Sequence, residues 1–470
     1  DVFRPLYDET SKMSEAEYET LKPLVLEQDI PTLQSHIAVG KLTYEKLVLF
    51  YLYRIYKYEL DNTTTLNTII ALNSKVVDEA RARDKEFAAY PNKYRHPIFG
   101  MPILLKDNIN TAGMNTTAGS IALMYNKVED AFIVRQLKKN KALIMGKVNL
   151  SEWAYFMCSG CPVGYSAFGG QTLNPYGRRV FESGGSSSGS GTSIAANYAV
   201  AAVGTETSGS ILSPSSQNSV VGLKPTISLL GRSGIVPISS TLDTPGPMTK
   251  NVIDNAIVLD AMFGFDMQDD ASIDTKRGIG WYAPSVLNDS LKGKRLGAMK
   301  NLMESDSIYK ETVEKMRDLG AEIIEFTPPE VKMDGFLSIL NIDMRNDLPK
   351  YLEAHVKNKD SVTIRSIADA VAFNEADSLL RIPYGQALFE GILADSTSAE
   401  GLENIKNTLE KNGRTFFDTA MDQHQLDAVL SINNYHAGYA AVAKYPALTV
   451  PMGYKPSGDP IGLTFIGRPL

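Results

Sequence analysis

The chain has 470 residues, of which 43% are hydrophobic and 21% charged, and its formal net charge is −7. These values are ordinary for a soluble globular protein, and the acidic balance leaves no electrostatic footprint for nucleic acid or an anionic membrane surface. The sequence contains no apolar run close to the roughly 18 residues that a membrane-spanning helix needs, and its two cysteines exclude a disulfide-rich scaffold.

Helical and strand patterns alternate along the chain. Residues 14 to 59 carry a helical apolar periodicity, which predicts a helical N-terminal layer over residues 1–60. A short apolar strand, Ile103 to Leu105, then ends on Lys106 and Asp107. The stretch 129–150 predicts a helix followed by a strand, and 311–326 repeats this order with Gly320 able to end the helix. The alternation favours an α/β layer sandwich with a largely buried sheet.

The ends of the chain and the search for linkers within it give weaker indications about domain number and compartment. No Pro/Ser linker divides the sequence, which favours one large domain. The last residues, "GLTFIGRPL", predict a strand running into a loop, so we expect the natural chain to continue past Leu470. The first residue is Asp1 rather than Met, which leaves two compartments open: the cytoplasm, or export after removal of a signal.

The two cysteines form the motif "CSGC" at Cys158 and Cys161. A structural zinc site usually needs four ligands, and no second C-x-x-C or nearby His pair supplies the others. The favoured interpretation is a pair of free thiols, with a local disulfide or a metal or redox site as alternatives. We expect neither a metal nor a cofactor.

The run "SGGSSSGSG", residues 183–191, contains only serine and glycine. By composition it is a flexible linker. It leads, however, into the Ala-rich stretch 192–203, which predicts a buried helix capped by Thr192 or Ser193. A second Gly/Ser turn follows at 204–214 and is closed by Pro214. Such turns let backbone N–H groups approach a ligand without Cβ obstruction, so the sequence favours a site over a tether.

A serine in these turns needs a base before it can act as a nucleophile. One candidate set is Ser187, at the centre of a G-x-S-x-G pattern, with Asp427 and His436 following in the order of an α/β-hydrolase. The stretch before Ser187 is polar and turn-rich instead of a buried strand, which argues against it. The other candidate is Lys106, because burial favours neutral lysine. The alternative for Lys106 is a strand-end lysine paired with Asp107.

Several segments together resemble the amidase signature family, in that family's order. They are "KDNINTAGMNTTAGS", "GKVNLSEWAYF", "GGQTLNPYG", "GGSSSGSGTSIAANYAVAAVGTETSGSILSP", "GLKPT", "TLDTPGPMTKNVIDNAIVLDAM" and "LDAVLSINNYHAGYAAVAKYPALTVPMGY". The resemblance covers most of the chain and is weakest at residues 1–60 and 265–420. It implies an α/β/α sandwich in which helices cover both faces of a large, twisted, mixed β-sheet, with the catalytic domain spanning residues 61–470.

The resemblance also implies a Ser–cis-Ser–Lys triad. Lys106 matches the family's lysine, Ser186 the bridging serine, whose peptide bond with Ser187 is expected to be cis, and Ser210 the nucleophile. The backbone N–H groups of four residues are expected to form the oxyanion hole: Thr207, Ser208, Gly209 and Ser210. Ser187, Glu206 and Asp107 are expected to surround these groups.

The nucleophile's turn departs from the family's common T-D-T-G-G-S-I-R at Glu206, Ser208 and Leu212. This form resembles the peptide amidase branch, which removes C-terminal carboxamides from peptides, and differs from the tRNA amidotransferase subunit, which retains the Arg. The predicted function is hydrolysis of C-terminal peptide amides or small aryl or alkyl amides through an acyl-enzyme. The alternatives are an ammonia-transferring amidotransferase subunit and a non-catalytic binding protein.

The remaining predictions concern partners and the acyl pocket. We expect a small-molecule or peptide amide substrate, no nucleic-acid or membrane partner, and a monomer or homodimer. The loop 155–171 and the region 335–400 are candidates for the acyl pocket, including Phe373, Asn374 and the stretch Tyr384 to Gln386.

Overall fold

The computed structural model describes residues 1–274, 282–286 and 290–469. It opens with a layer of helices: α1 (Tyr7–Thr10), α2 (Glu15–Val25), α3 (Ile30–Ala38) and α4 (Tyr44–Glu59). The last three each begin after a residue whose side chain accepts a backbone N–H of the first turn, namely Ser14, Asp29 and Thr43. The helices predicted over 14–59 are therefore confirmed.

Thirteen strands lie in the described residues. They are β1 (Ile69–Leu72), β2 (Pro102–Lys106), β3 (Leu143–Val148), β4 (Tyr165–Ser166), β5 (Gly170–Gln171), β6 (Ala201–Glu206), β7 (Val221–Lys224), β8 (Thr244–Thr249), β9 (Arg295–Met299), β10 (Glu322–Phe326), β11 (Ala428–Ile432), β12 (Ala447–Tyr454) and β13 (Pro460–Ile466). Strands β4 and β5 pair with each other, and the other eleven form one sheet in the order β1-β3-β2-β6-β8-β7-β12-β13-β11-β9-β10.

The large sheet is mixed, as predicted. Strand β2 runs parallel to both β3 and β6, and β9 runs parallel to β10 and β11. The pairs between β6 and β13 in the sheet order are antiparallel. Every residue of β2, β3, β6 and β8 is buried, which requires cover on both faces of the sheet. Lys106 is the last residue of β2, in this covered part of the sheet.

The remaining helices surround the sheet. They are α5 (Val76–Ala89), α6 (Phe132–Lys139), α7 (Ser188–Ala195), α8 (Leu212–Gln217), α9 (Val252–Met262), α10 (Tyr282–Ser285), α11 (Lys300–Ser305), α12 (Ser307–Asp318), α13 (Phe336–His355), α14 (Ile367–Glu375), α15 (Ser378–Arg381), α16 (Ala387–Ala394), α17 (Ala399–His424) and α18 (Ala437–Ala443). Short 3₁₀ turns span Arg4–Leu6, Ile121–Leu123 and Glu152–Tyr155. Within the described ranges, no helix combines the length and apolar character that a bilayer crossing requires.

The N-terminal helices and the sheet share one hydrophobic core. The cluster that contains Leu47 and Phe50 of α4 also contains Ile103 of β2 and Val203 of β6. The predicted helix–strand units at 129–150 and 311–326 are confirmed as α6–β3 and α12–β10, and Gly320 has φ +105° just after α12. The predicted C-terminal strand is β13.

Two predictions for residues 192–214 are wrong. The helix predicted over 192–203 is instead α7, which already begins at Ser188, and the apolar end of that stretch belongs to strand β6. A short Ala/Val run has no periodicity that separates a buried strand from a buried helix. Pro214 does not close a turn, because it lies in the first turn of α8, where a missing N–H is tolerated.

Candidate active site

Lys106 is held at the end of β2, inside the protein. Its side chain has no exposed surface. The Nζ donates hydrogen bonds to Ser186 Oγ at 2.6 Å, to Thr205 Oγ1 at 2.8 Å and to Thr205 O at 3.2 Å. Thr205 reaches this place because β6 runs parallel to β2 with Val203 beside Leu105. The lysine therefore contacts the Gly/Ser run directly, although Ser186 lies 80 residues further along the chain.

Burial changes the protonation of Lys106. Removal from water lowers the pKa of Lys106 to about 7, against the opposing effect of the nearby carboxylates of Asp243 and Glu206. A lysine with a pKa of about 7 is about half neutral at pH 7, and the neutral fraction increases above that pH. It can then accept a proton, as a general base must.

Ser186 lies in a turn that is tied to its surroundings by the backbone. It is fully buried, and its carbonyl accepts the N–H of Ser151 at 3.0 Å. The cis peptide bond joins Gly185 to Ser186 and not, as expected, Ser186 to Ser187. Gly185 suits the first position of this bond because an added Cβ there would lie 2.5 Å from Ser151 Oγ. The prediction of a cis bond between Ser186 and Ser187 is therefore wrong, and the cis bond lies one residue earlier.

Ser210 lies in a tight turn next to the Ser186 segment. Its carbonyl accepts the N–H of Ser187 at 3.2 Å, and its side chain is only partly buried. Gly209 before it has φ +93°, a conformation that favours glycine. The Glu206 carboxylate accepts the N–H groups of Ile211 at 2.8 Å and Leu212 at 2.9 Å, which fixes the start of α8. The predicted Lys106, Ser186 and Ser210 thus lie on adjoining segments.

Glu206 and Leu212, two residues that differ from the family's common motif, are both buried in the structure. The carboxylate of Glu206 is buried and uses Oε1 for the two backbone N–H groups, whereas Oε2 has no hydrogen-bond partner among the described residues. Leu212, at the place of the family's Arg, is fully buried in the apolar core around β9 and β11. The turn is therefore held by hydrogen bonds from backbone N–H groups to the Glu206 carboxylate, and the apolar Leu212 stands at the position of the motif's Arg.

Ser187 has a structural role and is not part of a hydrolase triad. Its Oγ donates to Thr205 O at 2.9 Å and accepts the Thr205 N–H at 3.1 Å, so its hydroxyl ties the turn to β6. His436 shares a hydrogen bond with Ser431 at 2.5 Å, and Asp427 accepts the N–H of Arg295 at 2.7 Å. The structure does not bring these three residues together, so that alternative is wrong.

Asp107 pairs with Lys147 and not with Lys106. Asp107 Oδ1 and Lys147 Nζ are 2.9 Å apart, and both side chains are fully buried. Thr117 donates its hydroxyl and its N–H to the other oxygen of Asp107. Asp107 follows the last residue of β2, in a turn, and its side chain contacts Lys147, whereas that of Lys106 contacts Ser186 and Thr205. The alternative of a Lys106–Asp107 pair is therefore wrong.

Replacing Lys147 with methionine is expected to lower the free energy of unfolding by about 3–5 kcal/mol, because it leaves the Asp107 carboxylate buried without a counter-ion. Urea unfolding followed by circular dichroism measures the change. The double variant Lys147→Met/Asp107→Asn should recover part of the loss, because no buried charge remains. A single variant as stable as the unmodified protein would show that the pair does not support the fold.

Several groups beside Lys106 were not identified from the sequence. Thr205 accepts from both Lys106 and Asn108, the latter at 2.9 Å. Asp243 accepts the hydroxyl of Thr207 at 2.5 Å and two backbone N–H groups, and burial raises the pKa of Asp243 to about 6. Asn108, Thr205, Thr207 and Asp243 line a cavity of 440 Å³. Asp243 was not singled out from the sequence because its contacts depend on the pairing of β6 with β8.

The two candidate regions for the acyl pocket pack against each other. The Met157 carbonyl accepts the N–H groups of Leu388 at 3.0 Å and Phe389 at 3.2 Å. Asn374 donates to Gln386 at 3.0 Å, which joins two parts of the second region. The loop 155–171 is linked to the Ser186 turn through Ser151, whose Oγ accepts the Gly164 N–H at 2.8 Å and whose N–H donates to the Ser186 carbonyl at 3.0 Å.

Cys158 and Cys161 form a disulfide. The favoured interpretation of free thiols is therefore wrong, and the alternative of a local disulfide is confirmed. The pairing is possible because their Cα atoms lie 5.9 Å apart. Within the part of the chain that the structure describes, no cluster of His, Cys, Asp and Glu could hold a metal ion.

Comparisons with known proteins agree on one family. The model of the family described as Amidase matches residues 46–382. A probable amidase of Arabidopsis thaliana is 38% identical over 440 residues, covering 91% of this chain and 84% of the relative. A solved amidase family protein from Bacillus anthracis has 35% identity and a TM-score of 0.94, covering 100% of this chain and 92% of that one. The native peptide amidase from Stenotrophomonas maltophilia has 36% identity and a TM-score of 0.87, covering 94% of each chain.

Proposed function

Because the chain belongs to the amidase family and is an amide hydrolase, we propose that Ser210, Ser186 and Lys106 form its catalytic relay. The observation that carries this proposal is the 2.6 Å hydrogen bond between the buried Lys106 Nζ and Ser186 Oγ. It joins a lysine whose pKa is lowered to about 7 to a serine on the segment beside Ser210.

The proposed reaction passes through an acyl-enzyme. Neutral Lys106 accepts the proton of Ser186, and Ser186 accepts the proton of Ser210 as the Ser210 Oγ attacks the amide carbonyl carbon. The relay then returns a proton to the amide nitrogen, the C–N bond breaks, and the amine or ammonia leaves. Water attacks the remaining ester by the same route, which releases the carboxylic acid and restores Ser210.

The negative charge on the carbonyl oxygen needs hydrogen-bond donors. We assign this role to the backbone N–H groups that precede α8, those of Thr207, Ser208, Gly209 and Ser210. Glu206 fixes the turn by accepting the next two N–H groups, and Gly209 allows its left-handed conformation. Donors held in place before the reaction stabilise the developing oxyanion without reorganisation, and losing one typically costs about 2.7–4 kcal/mol.

The proposed substrates are C-terminal carboxamides of peptides or small aryl or alkyl amides. Two observations support this class: the nucleophile's turn contains Glu206 and Leu212 in the peptide amidase form, and the chain is similar to a peptide amidase of known structure. The test is a panel of peptide amides, aryl amides, alkyl amides and free glutamine, assayed for release of ammonia or amine. Turnover of glutamine alone would overturn the proposed class.

One alternative, an amidotransferase subunit, is tested by experiment. An amidotransferase subunit would pass ammonia to a partner within a stable complex, so a purified chain that turns over amides alone argues against it. The buried Leu212 also departs from the Arg expected of that subunit. The predicted alternative of a non-catalytic binding protein is not supported, because the chain is an amide hydrolase. Labelling by a fluorophosphonate then tests whether Ser210 is the nucleophile.

A further inference from the structure

The disulfide between Cys158 and Cys161 closes a short ring of chain within the loop 155–171. The two residues inside the ring, Ser159 and Gly160, are exposed, and Cys161 is partly exposed, whereas Cys158 is buried. Thiol–disulfide exchange requires that a thiolate reach one of the two sulfur atoms. Cys161 is therefore the more accessible cysteine for a dithiol reductant.

The chain just before the disulfide is fixed to the second candidate region of the acyl pocket. The Met157 carbonyl accepts the N–H groups of Leu388 and Phe389, both in α16. The side-chain amide of Asn374, in α14, donates to the Met157 sulfur at 3.6 Å. Met157 is also buried in the same apolar cluster as Phe389. The Cys158 end of the ring is thus anchored on α14 and α16.

The chain just after the disulfide is fixed to the Ser186 turn. The Gly164 N–H donates to Ser151 Oγ at 2.8 Å, and the Ser151 N–H donates to the Ser186 carbonyl at 3.0 Å. Val163 packs against the same turn, because a Cβ added at Gly185 would lie 2.8 Å from Val163 Cγ1. The disulfide therefore links an anchor on α16 to an anchor on the Ser186 turn.

A third contact connects the ring to the cavity beside Lys106. Trp153, Ala154 and Tyr155 have φ values of +52°, +55° and +71°, a left-handed conformation that disfavours residues other than glycine. The Tyr155 hydroxyl donates to the Cys161 carbonyl at 2.7 Å, and Ala154 lines the 440 Å³ cavity. Such a conformation persists only where its surroundings hold it. The ring is one of the contacts that hold this part of the cavity wall.

We propose that the disulfide is a redox switch of amide hydrolysis, with the oxidised protein as the more active form. One thiolate of a dithiol attacks the Cys161 sulfur, and the Cys158 sulfur leaves as a thiolate that takes up a proton. The second thiolate of the dithiol then displaces the Cys161 sulfur. The products are two cysteine thiols and the oxidised, cyclic dithiol.

Reduction changes the site because it removes the cross-link between the two anchors. The opened segment 158–161 gains conformational freedom, so α16 and the Ser186 turn are no longer held at a fixed separation through it. The left-handed turn that carries Ala154 can also relax. The inference rests on the proposed relay, in which Ser186 transfers the proton.

The test is amide hydrolysis by the full chain before and after treatment with dithiothreitol, with the released thiols counted. A displacement of about 1 Å in a site can cost up to about 100-fold in rate, so we expect kcat/KM to fall about tenfold on reduction. Removal of dithiothreitol and reoxidation should restore it. The double variant Cys158→Ser/Cys161→Ser should show the lower value at all times, whereas the matched control Ser159→Ala should respond to dithiothreitol like the unmodified protein.

Circular dichroism of each form separates a switch from a loss of the fold, because the reduced protein should remain folded. The inference would be overturned by equal kcat/KM in the oxidised and reduced protein, by a disulfide that dithiothreitol does not open, or by activity that is lost only together with the fold. A response to dithiothreitol that persists in the double variant would also overturn it. The relay is tested separately by Ser210→Ala, which leaves the disulfide unchanged. If the double variant does not fold, reduction of the unmodified protein decides.

Discussion

Replacing Ser210 with alanine is expected to lower kcat/KM for amide hydrolysis by at least about 10⁴-fold, because removal of the nucleophile leaves only binding and oxyanion stabilisation. The residue lies in the capped turn before α8, partly exposed, where its hydroxyl can reach a substrate carbonyl. Ammonia release from the best amide of the panel measures the loss. The same variant should not be labelled by a fluorophosphonate.

Ser187→Ala is the matched control, because Ser187 is the serine that the G-x-S-x-G pattern would select. Its hydroxyl is occupied by both backbone groups of Thr205. We expect the Ser187→Ala protein to retain fluorophosphonate labelling and to keep measurable turnover, with some loss of stability. Loss of labelling in Ser187→Ala with retention in Ser210→Ala would contradict the assignment of the nucleophile.

The pH dependence of catalysis should report Lys106. Only the neutral amine can accept a proton, and burial lowers the pKa of Lys106 to about 7. We therefore expect kcat/KM to fall below about pH 7, as Lys106 becomes protonated, and to level off above it. Rates measured from pH 5 to 9 give the profile. Lys106→Met should lower kcat by about 10²–10⁴-fold, because the base is lost.

The titration of Asp243 must be distinguished from that of Lys106 in the pH profile, because burial raises the pKa of Asp243 to about 6. The Asp243 carboxylate also raises the Lys106 pKa. Asp243→Asn should therefore move the acidic limb of the profile to lower pH. If the limb disappears instead, Asp243 is the titrating group, and a profile that is flat from pH 5.5 to 8 would argue against a lysine base.

The helices and strands that depend only on residues close together along the chain were predicted correctly from the sequence. Strand β2 with Lys106 at its end, the α6–β3 and α12–β10 units and the helices of 14–59 follow from periodicity and capping within about 20 residues of chain. The stretch 192–203 was not predicted well, because its small apolar residues fit a helix and a strand equally. Its state depends on β2 and β8, which lie on either side of β6 in the sheet.

The resemblance placed Lys106, Ser186 and Ser210 on a single site, and the structure brings their segments together. The resemblance misplaced the cis bond by one residue, because similarity between sequence segments does not show which peptide bond is cis. Thr205, Asn108 and Asp243 were not identified, because their contacts join residues that are distant along the chain.

By itself, the sequence determined the residue types and the local elements: a lysine at the end of a buried strand, two Gly/Ser turns and the family's order of segments. Only the tertiary structure decided which groups meet. The parallel pairing of β2 with β6 brings Thr205 to Lys106, and the turn after β2 places Asp107 beside Lys147. The physical reason is that burial and the nearby carboxylates of Asp243 and Glu206, which set the protonation of Lys106, arise from contacts between segments and are absent from any single segment.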